Sequence, residues 1–160
     1  MRDVFSDFLT QIVFLHVISA IIWLGGMIVL RYAVHFSMQE ILEPKIKIER
    51  SLQNLNNFFK LLIPSIVLLF ISALILIYTL ALNQSTLYST IILKEIIFTL
   101  MAGVFILVYI KTKQAKKAFE MGEMLKTKNA LILISKYLIP LNIFLGLVAV
   151  YLGVVLRAIS

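Results

Sequence analysis

Three ionisable side chains lie inside runs of apolar residues, where such groups are rare. His16 lies within FLHVISAIIWLGGMIVL (14–30), and Lys94 and Glu95 lie within LYSTIILKEIIFTL (87–100). An ionisable group inside hydrocarbon is costly unless it is paired, hydrated or bound to a ligand. These residues are therefore the first candidates for a functional site.

The runs that carry these residues are long enough to cross a bilayer. The chain has 160 residues, of which 61% are hydrophobic, and its mean hydropathy is +1.02. A helix needs about 20 apolar residues to cross about 30 Å of hydrocarbon. Four such runs, at 8–30, 58–82, 87–110 and 131–156, predict an all-α, antiparallel bundle of four transmembrane helices that forms one domain over 1–160.

The positive charges predict how this bundle is oriented. Of the 15 Lys and Arg residues, five lie in or next to the connection between the first two spans and seven lie around the connection between the last two. By the positive-inside rule, both long connections are cytoplasmic and both termini face outwards, as in a multi-pass protein of a bacterial-type inner membrane. The net charge of +7 follows from this topology, so the expected partner is the lipid bilayer and not nucleic acid. The N-terminal apolar run is too long for a signal peptide and is expected to remain as a span.

The connections are expected to differ in length. Residues 83–86 (NQST) are a short outer connection, which predicts an antiparallel hairpin of spans 2 and 3. The two inner connections keep helical spacing, with breaks near Pro44 and Gly122, and predict helical extensions on the cytoplasmic side. Small and polar residues at one-face spacing predict seams inside the bundle: Ser65, Ser72 and Thr79 in span 2, and Asn142, Gly146, Ala149 and Gly153 in span 4.

His16 and Lys94 are expected at nearly the same depth in the membrane. His16 is about 12 Å and Lys94 about 10 Å from the outer ends of their spans, at the helical rise per residue. Tyr78 and Tyr151 lie near the same level in spans 2 and 4. We therefore expect one polar site in the outer half of the bundle. Two alternatives remain open: Lys94 snorkels to the headgroups, or His16 is a neutral imidazole that donates to a helix carbonyl or to a serine of span 2.

The helix face of His16 has features that suit a flat macrocycle. Trp23 lies further along this face, and the pair Gly25–Gly26 would let a ring approach the backbone. Imidazole is an axial ligand of haem iron, whereas the glycine pair, taken alone, favours ordinary helix packing. The chain has no Cys, and its Met residues are scattered, so few side chains could serve as ligands in a copper site made only of protein groups.

The stretch FLHVISAIIWLGG (14–26) resembles the first helix of the copper resistance protein D (CopD) domain and, more distantly, of HemJ-type protoporphyrinogen oxidases. LYSTIILKEIIFTL (87–100) is similar to their third helix, where a lysine lies just inside the outer end, and span 4 fits the last helix loosely. The specific part of the resemblance is His16, Trp23, Gly25, Gly26 and Lys94.

This resemblance implies a haem-binding membrane protein with a role in electron transfer or oxidation. His16 would be the metal ligand to haem b, and Lys94 would be its companion in a HemJ-type site, as a catalytic proton group, a second ligand or a partner of a propionate. Quinone or another membrane redox protein would be the partner, and a homo-oligomer is a further option. The alternatives are copper transport or copper homeostasis, and a purely structural subunit of a membrane complex.

Overall fold

The described part of the chain is helical almost throughout. The computed structural model describes residues 7–79 and 88–159, and within these ranges there is no β-strand. Helix α1 is Leu9–Gln39, α2 is Pro44–Thr79, α3 is Tyr88–Glu120, and α4 covers residues 124–159. Each contains an apolar stretch long enough to cross a membrane. The predicted all-α bundle of four membrane helices is therefore confirmed, whereas the side on which the termini lie stays a prediction.

Two turns join the helices at one end of the bundle, which we call the basic end. Residues 40–43 connect α1 to α2 directly before Pro44, and residues 121–123 connect α3 to α4. Gly122 has a φ of +77°, a conformation that costs a residue with a Cβ about 1–2 kcal/mol. Both breaks lie where the sequence predicted them. We call the opposite end, where α1 begins and α4 ends, the termini end; the predicted hairpin connection 83–86 lies outside the described residues.

All four helices continue past their predicted spans at the basic end. α1 continues to Gln39, α2 starts at Pro44, α3 continues to Glu120 and α4 starts at Met124. These parts carry most of the Lys and Arg residues on a polar face, as a helix leaving the membrane does. The predicted helical extensions are therefore confirmed, whereas their position on the cytoplasmic side stays a prediction.

Two short π-helical turns interrupt the helices near the basic end. In α1 the turn is Leu30–Val34, where the His35 N–H donates to the Leu30 carbonyl. In α4 it is Ile134–Leu138, just before Pro140, whose missing N–H already disturbs the regular helical ladder. A π turn holds one extra residue, so it shifts the face that the following residues present.

Aromatic rings fill the middle of the bundle. α1 packs mainly on α2, and α3 mainly on α4. Trp23 of α1 is 1% exposed and makes edge contacts with Phe98 and Phe105 of α3, at ring-centroid distances of 5.8 and 6.4 Å. Phe59 of α2 lies 5.7 Å from Phe105 in the same way. Such pairs contribute about 0.5–1.5 kcal/mol each beyond area burial, and they tie the two helix pairs together.

The predicted seams of small and polar residues face the interior. Ser65, Ser72, Asn142 and Gly146 are buried. The amide Nδ2 of Asn142 donates to the Met101 carbonyl at 3.2 Å, which links α4 to α3. Interhelical hydrogen bonds and close packing are what hold helices together in lipid, since the lipid tails are as apolar as the side chains.

The outer surface of the bundle is apolar on every helix. Large side chains exposed on this surface include Phe14, Leu68, Leu100 and Phe144. Contiguous apolar surface of this kind is a liability in water and the normal condition in a bilayer. The surface therefore fits a multi-pass membrane protein.

Candidate functional site

His16 is held by a hydrogen bond between two helices. It lies two turns into α1 from the termini end, and its ring is partly buried. Its Nδ1 lies 3.0 Å from Oγ of Ser72 in α2. Ser72 belongs to the buried seam of α2 because it follows Ser65 by seven residues, two helical turns. The serine of span 2 that was one alternative partner for His16 is therefore Ser72.

The second contact of the Ser72 hydroxyl bears on the tautomer of His16. The Ser72 Oγ lies 3.0 Å from the Leu69 carbonyl, to which it can donate. A hydroxyl has only one proton to donate, so when it is given to Leu69, Ser72 Oγ accepts from His16 and the imidazole proton is on Nδ1. The lone pair of the neutral ring then lies on Nε2, which has no hydrogen-bond partner among the described residues. The bond to Ser72 thus satisfies one ring nitrogen and leaves the other available.

Lys94 extends from α3 towards α4. A Cβ atom built at Gly153 would lie 3.4 Å from Lys94 Nζ, so the ammonium lies directly over this glycine of the α4 seam. Gly153 leaves the space that Lys94 uses. No carboxylate lies within 4.0 Å of Lys94 in residues 7–79 and 88–159, and the side chain of its neighbour Glu95 is exposed.

The four polar residues predicted at one depth in the membrane do not all face the interior of the bundle. His16 and Lys94 share no hydrogen bond in the described part of the chain: His16 contacts Ser72 of α2, whereas Lys94 Nζ lies over Gly153 of α4. Tyr78 and Tyr151 are 57% and 67% exposed. These tyrosines lie on the outer surface of α2 and α4 and do not join His16 in the interior.

The remaining candidates on α1 have visible packing roles. Trp23 lies within the aromatic core, and its Nε1 is buried without a hydrogen-bond partner among the described residues. A Cβ atom at Gly26 would lie 2.7 Å from Cε2 of Phe58, whereas one at Gly25 would meet nothing within 4 Å. Gly26 is therefore required by the approach of α2. The assignment of Trp23, Gly25 and Gly26 to a cofactor wall stays a prediction.

The donor set at the termini end fits one kind of metal group better than another. The described residues contain no group of three or more His, Cys, Asp or Glu side chains that could hold a bare metal ion. A copper site of protein ligands alone would need more donors than His16 supplies. An iron porphyrin brings four of its own nitrogen ligands and needs only axial donors. His16 supplies one imidazole of this kind, and Lys94, over Gly153, supplies an amine from a different helix.

A second set of polar residues lies at the basic end and was not among the predicted site residues. Arg31 has a buried Nη1 without a hydrogen-bond partner among the described residues, and it borders a cavity with Lys47, Asn54 and Lys128. Helical spacing could have shown the position of Arg31, because it follows the buried Trp23 and Met27 by eight and four residues. The other three could not be brought together from sequence, since they come from α2 and α4.

Comparison of the chain with protein families, with curated proteins and with solved structures finds no match.

Proposed function

We propose that this protein binds b-type haem in the half of the bundle at the termini end and takes part in electron transfer or oxidation in the membrane. The observation that supports this most is the geometry of His16. When its Nδ1–H donates to Ser72, Nε2 keeps its lone pair and a defined direction. A histidine that ligates a metal almost always has its second ring nitrogen held in this way.

Each side chain of the proposed site has a separate task. His16 would hold the haem through an imidazole nitrogen, and Ser72 would be a positioning residue that orients the imidazole. Lys94, held over Gly153, would supply a positive charge for a propionate, a proton, or a second ligand. The apolar surroundings exclude water, which strengthens each of these interactions.

When bound, haem supplies reversible one-electron chemistry, with a potential set by its axial ligands and by the polarity of its surroundings. The partner that fits a site inside a bilayer is an apolar redox carrier such as a quinone, or another membrane redox protein. The similarity of residues 14–26 and 87–100 to the CopD and HemJ-type helices agrees with this proposal.

The visible spectrum tests the proposal directly. The protein is produced with ample haem, purified in detergent, and its spectrum is recorded oxidised and reduced. We expect a Soret band and a reducible α-band that are lost in His16→Ala. The matched control is His35→Ala, because His35 lies at the basic end, where its Nε2 accepts from Gln39; this variant should keep both bands. A colourless wild-type protein, or equal loss in both variants, would refute the proposal.

Ser72→Ala tests whether the hydrogen bond positions the ligand. Loss of such a partner typically lowers affinity for the metal group about 10–100-fold, so haem should be lost on washing at concentrations that leave the wild type loaded. The control is Ser65→Ala, since Ser65 is buried on the same face but donates only to the Leu61 carbonyl of its own helix. If the two variants retain haem equally, Ser72 does not position His16.

The same purified protein distinguishes the haem proposal from copper handling and from a purely structural role. Copper handling predicts copper in the purified protein by elemental analysis and altered copper sensitivity on deletion. A purely structural role predicts neither haem nor copper, and no effect of His16→Ala beyond folding. Either result would replace the haem proposal.

A further inference from the structure

A cavity of about 580 Å³ lies at the basic end of the bundle. Its walls come from the end of α1, the turn that follows it, the beginning of α2 and the first part of α4. Cavities that bind small ligands in proteins are typically about 300–1,000 Å³. The size of the cavity is therefore within the range of a ligand site, and it is far along α1 from His16.

The polar lining of this cavity is one-sidedly positive. Arg31, Lys47 and Lys128 all contribute to its wall, and no Asp or Glu does. The two salt bridges of the described residues, Lys116–Glu120 and Lys126–Glu123, involve none of these cations. Like charges around a partly enclosed space at a membrane edge repel one another and attract an anion.

Arg31 has a hydrogen-bond donor that no acceptor in the described part of the chain satisfies. Its Nη1 is buried and has no hydrogen-bond partner among the described residues. The guanidinium also lies 5.6 Å from the ring centroid of its neighbour Tyr32. A buried charged donor without an acceptor is strongly unfavourable, so an acceptor from a bound ligand would stabilise Arg31. Asn54 also makes only a weak hydrogen bond, in which its Nδ2 donates to the sulfur of Met38 at 3.8 Å.

Most of the rest of the lining is apolar, although His35, Gln39, Ser51 and Ser135 also contribute. Leu30, Val34, Leu55, Leu131 and Ile139 all face the cavity. Residues of both π turns also line it, Leu30–Val34 in α1 and Ile134–Leu138 in α4. π turns are frequent at functional sites because they redirect side chains at a small cost. An occupant must therefore offer both an anion and hydrocarbon.

We infer that this cavity binds an anionic phospholipid of the surrounding bilayer, with its phosphate at Arg31, Lys47 and Lys128 and its acyl chains along the apolar wall. Basic pockets between membrane helices are suited to such head groups. A free phosphate ion would satisfy the cations but would leave the apolar wall in contact with water. A zwitterionic lipid would fit the wall but bring no net charge.

Lipid titration of the delipidated protein in a non-ionic detergent tests this inference. Dioleoyl phosphatidylglycerol, dioleoyl phosphatidylcholine and inorganic phosphate are compared by native mass spectrometry and by the shift in Tm. At about 1 kcal/mol for each basic residue near a membrane surface, phosphatidylglycerol should bind about tenfold or more tightly than phosphatidylcholine. Inorganic phosphate at the same concentration should not shift the Tm.

Arg31→Gln should weaken phosphatidylglycerol binding about fivefold, the factor that corresponds to about 1 kcal/mol. The matched control is Arg50→Gln, because Arg50 is exposed on α2, donates to Gln53 and does not line the cavity; its binding should be unchanged. Where Arg31→Gln does not fold, the double variant Lys47→Gln/Lys128→Gln replaces it, with the same expected direction.

Three outcomes would overturn the inference. Equal binding of the two lipids means that the charges do not select the occupant. An equal loss in Arg50→Gln means that surface charge alone attracts the lipid. Stabilisation by inorganic phosphate equal to that by phosphatidylglycerol means that the site takes a soluble anion and not a lipid. None of these depends on whether the protein binds haem at His16.

Discussion

Replacing Gly26 with alanine should destabilise the bundle, whereas the same change at its neighbour Gly25 should stabilise it. The two positions differ in what their new methyl group meets. A Cβ atom at Gly26 would lie 2.7 Å from Cε2 of Phe58 in α2, and one at Gly25 would have nothing within 4 Å. Phe58 is partly buried and packs against the buried core, which limits how far its ring can move.

The magnitudes follow from two opposing contributions. Glycine inside a helix is less favourable than alanine by about 0.5–1 kcal/mol, so Gly25→Ala should stabilise by up to this amount. Gly26→Ala gains the same helix contribution but adds a methyl group to a packed contact, which typically costs about 1–3 kcal/mol. The two variants should therefore differ by about 1–3 kcal/mol, or about 2–12 °C in Tm for a chain of this size.

Thermal unfolding of both variants in the same detergent measures this difference. The double variant Gly26→Ala/Phe58→Leu supplies the internal control, since a smaller side chain at position 58 should recover part of the lost stability. The reasoning is refuted if Gly26→Ala is as stable as Gly25→Ala, or if Phe58→Leu costs the same in both backgrounds. Either result would mean that α1 and α2 do not meet at this glycine.

Two further substitutions test the turn at the basic end and the link between α3 and α4. Gly122→Ala should destabilise by about 1–2 kcal/mol in the same melting assay, because φ is +77° there; Gly103→Ala, whose Cβ would meet nothing within 4 Å, should not, and equal Tm values would contradict this. Asn142→Ala should lower the Tm because it removes the hydrogen bond to the Met101 carbonyl, which in a membrane bundle is worth about 0.6–1.7 kcal/mol, plus the contacts of a buried side chain. An unchanged Tm would show that this bond does not hold α4 to α3.

The fold could be predicted from the sequence because lipid strongly constrains how the backbone forms hydrogen bonds. Every backbone polar group in hydrocarbon must be satisfied within the chain, so long apolar runs become helices. The four spans, the breaks at Pro44 and Gly122 and the inward seam at Ser65 and Ser72 follow from local pattern alone. The same constraint identified His16 and Lys94 as site candidates, because ionisable residues are rare in such runs.

Tertiary structure alone decided which side chains share a site. The partner of His16 is Ser72, and the small residue beneath Lys94 is Gly153; each pair joins helices whose relative rotation and height no local pattern specifies. For the same reason Tyr78, at the right level by residue count, lies on the outer surface. Counting residues along a helix gives depth, whereas the face that a residue presents also depends on how neighbouring helices pack.

The basic end shows this division most clearly. The sequence by itself determined that cations gather there, because their distribution along the chain follows membrane topology. Only the packed helices decided that Arg31, Lys47 and Lys128 surround one cavity, since their side chains come from α1, α2 and α4 and two π turns redirect the walls. Topology depends on local charge and hydropathy, whereas a site depends on contacts between residues far apart in the chain.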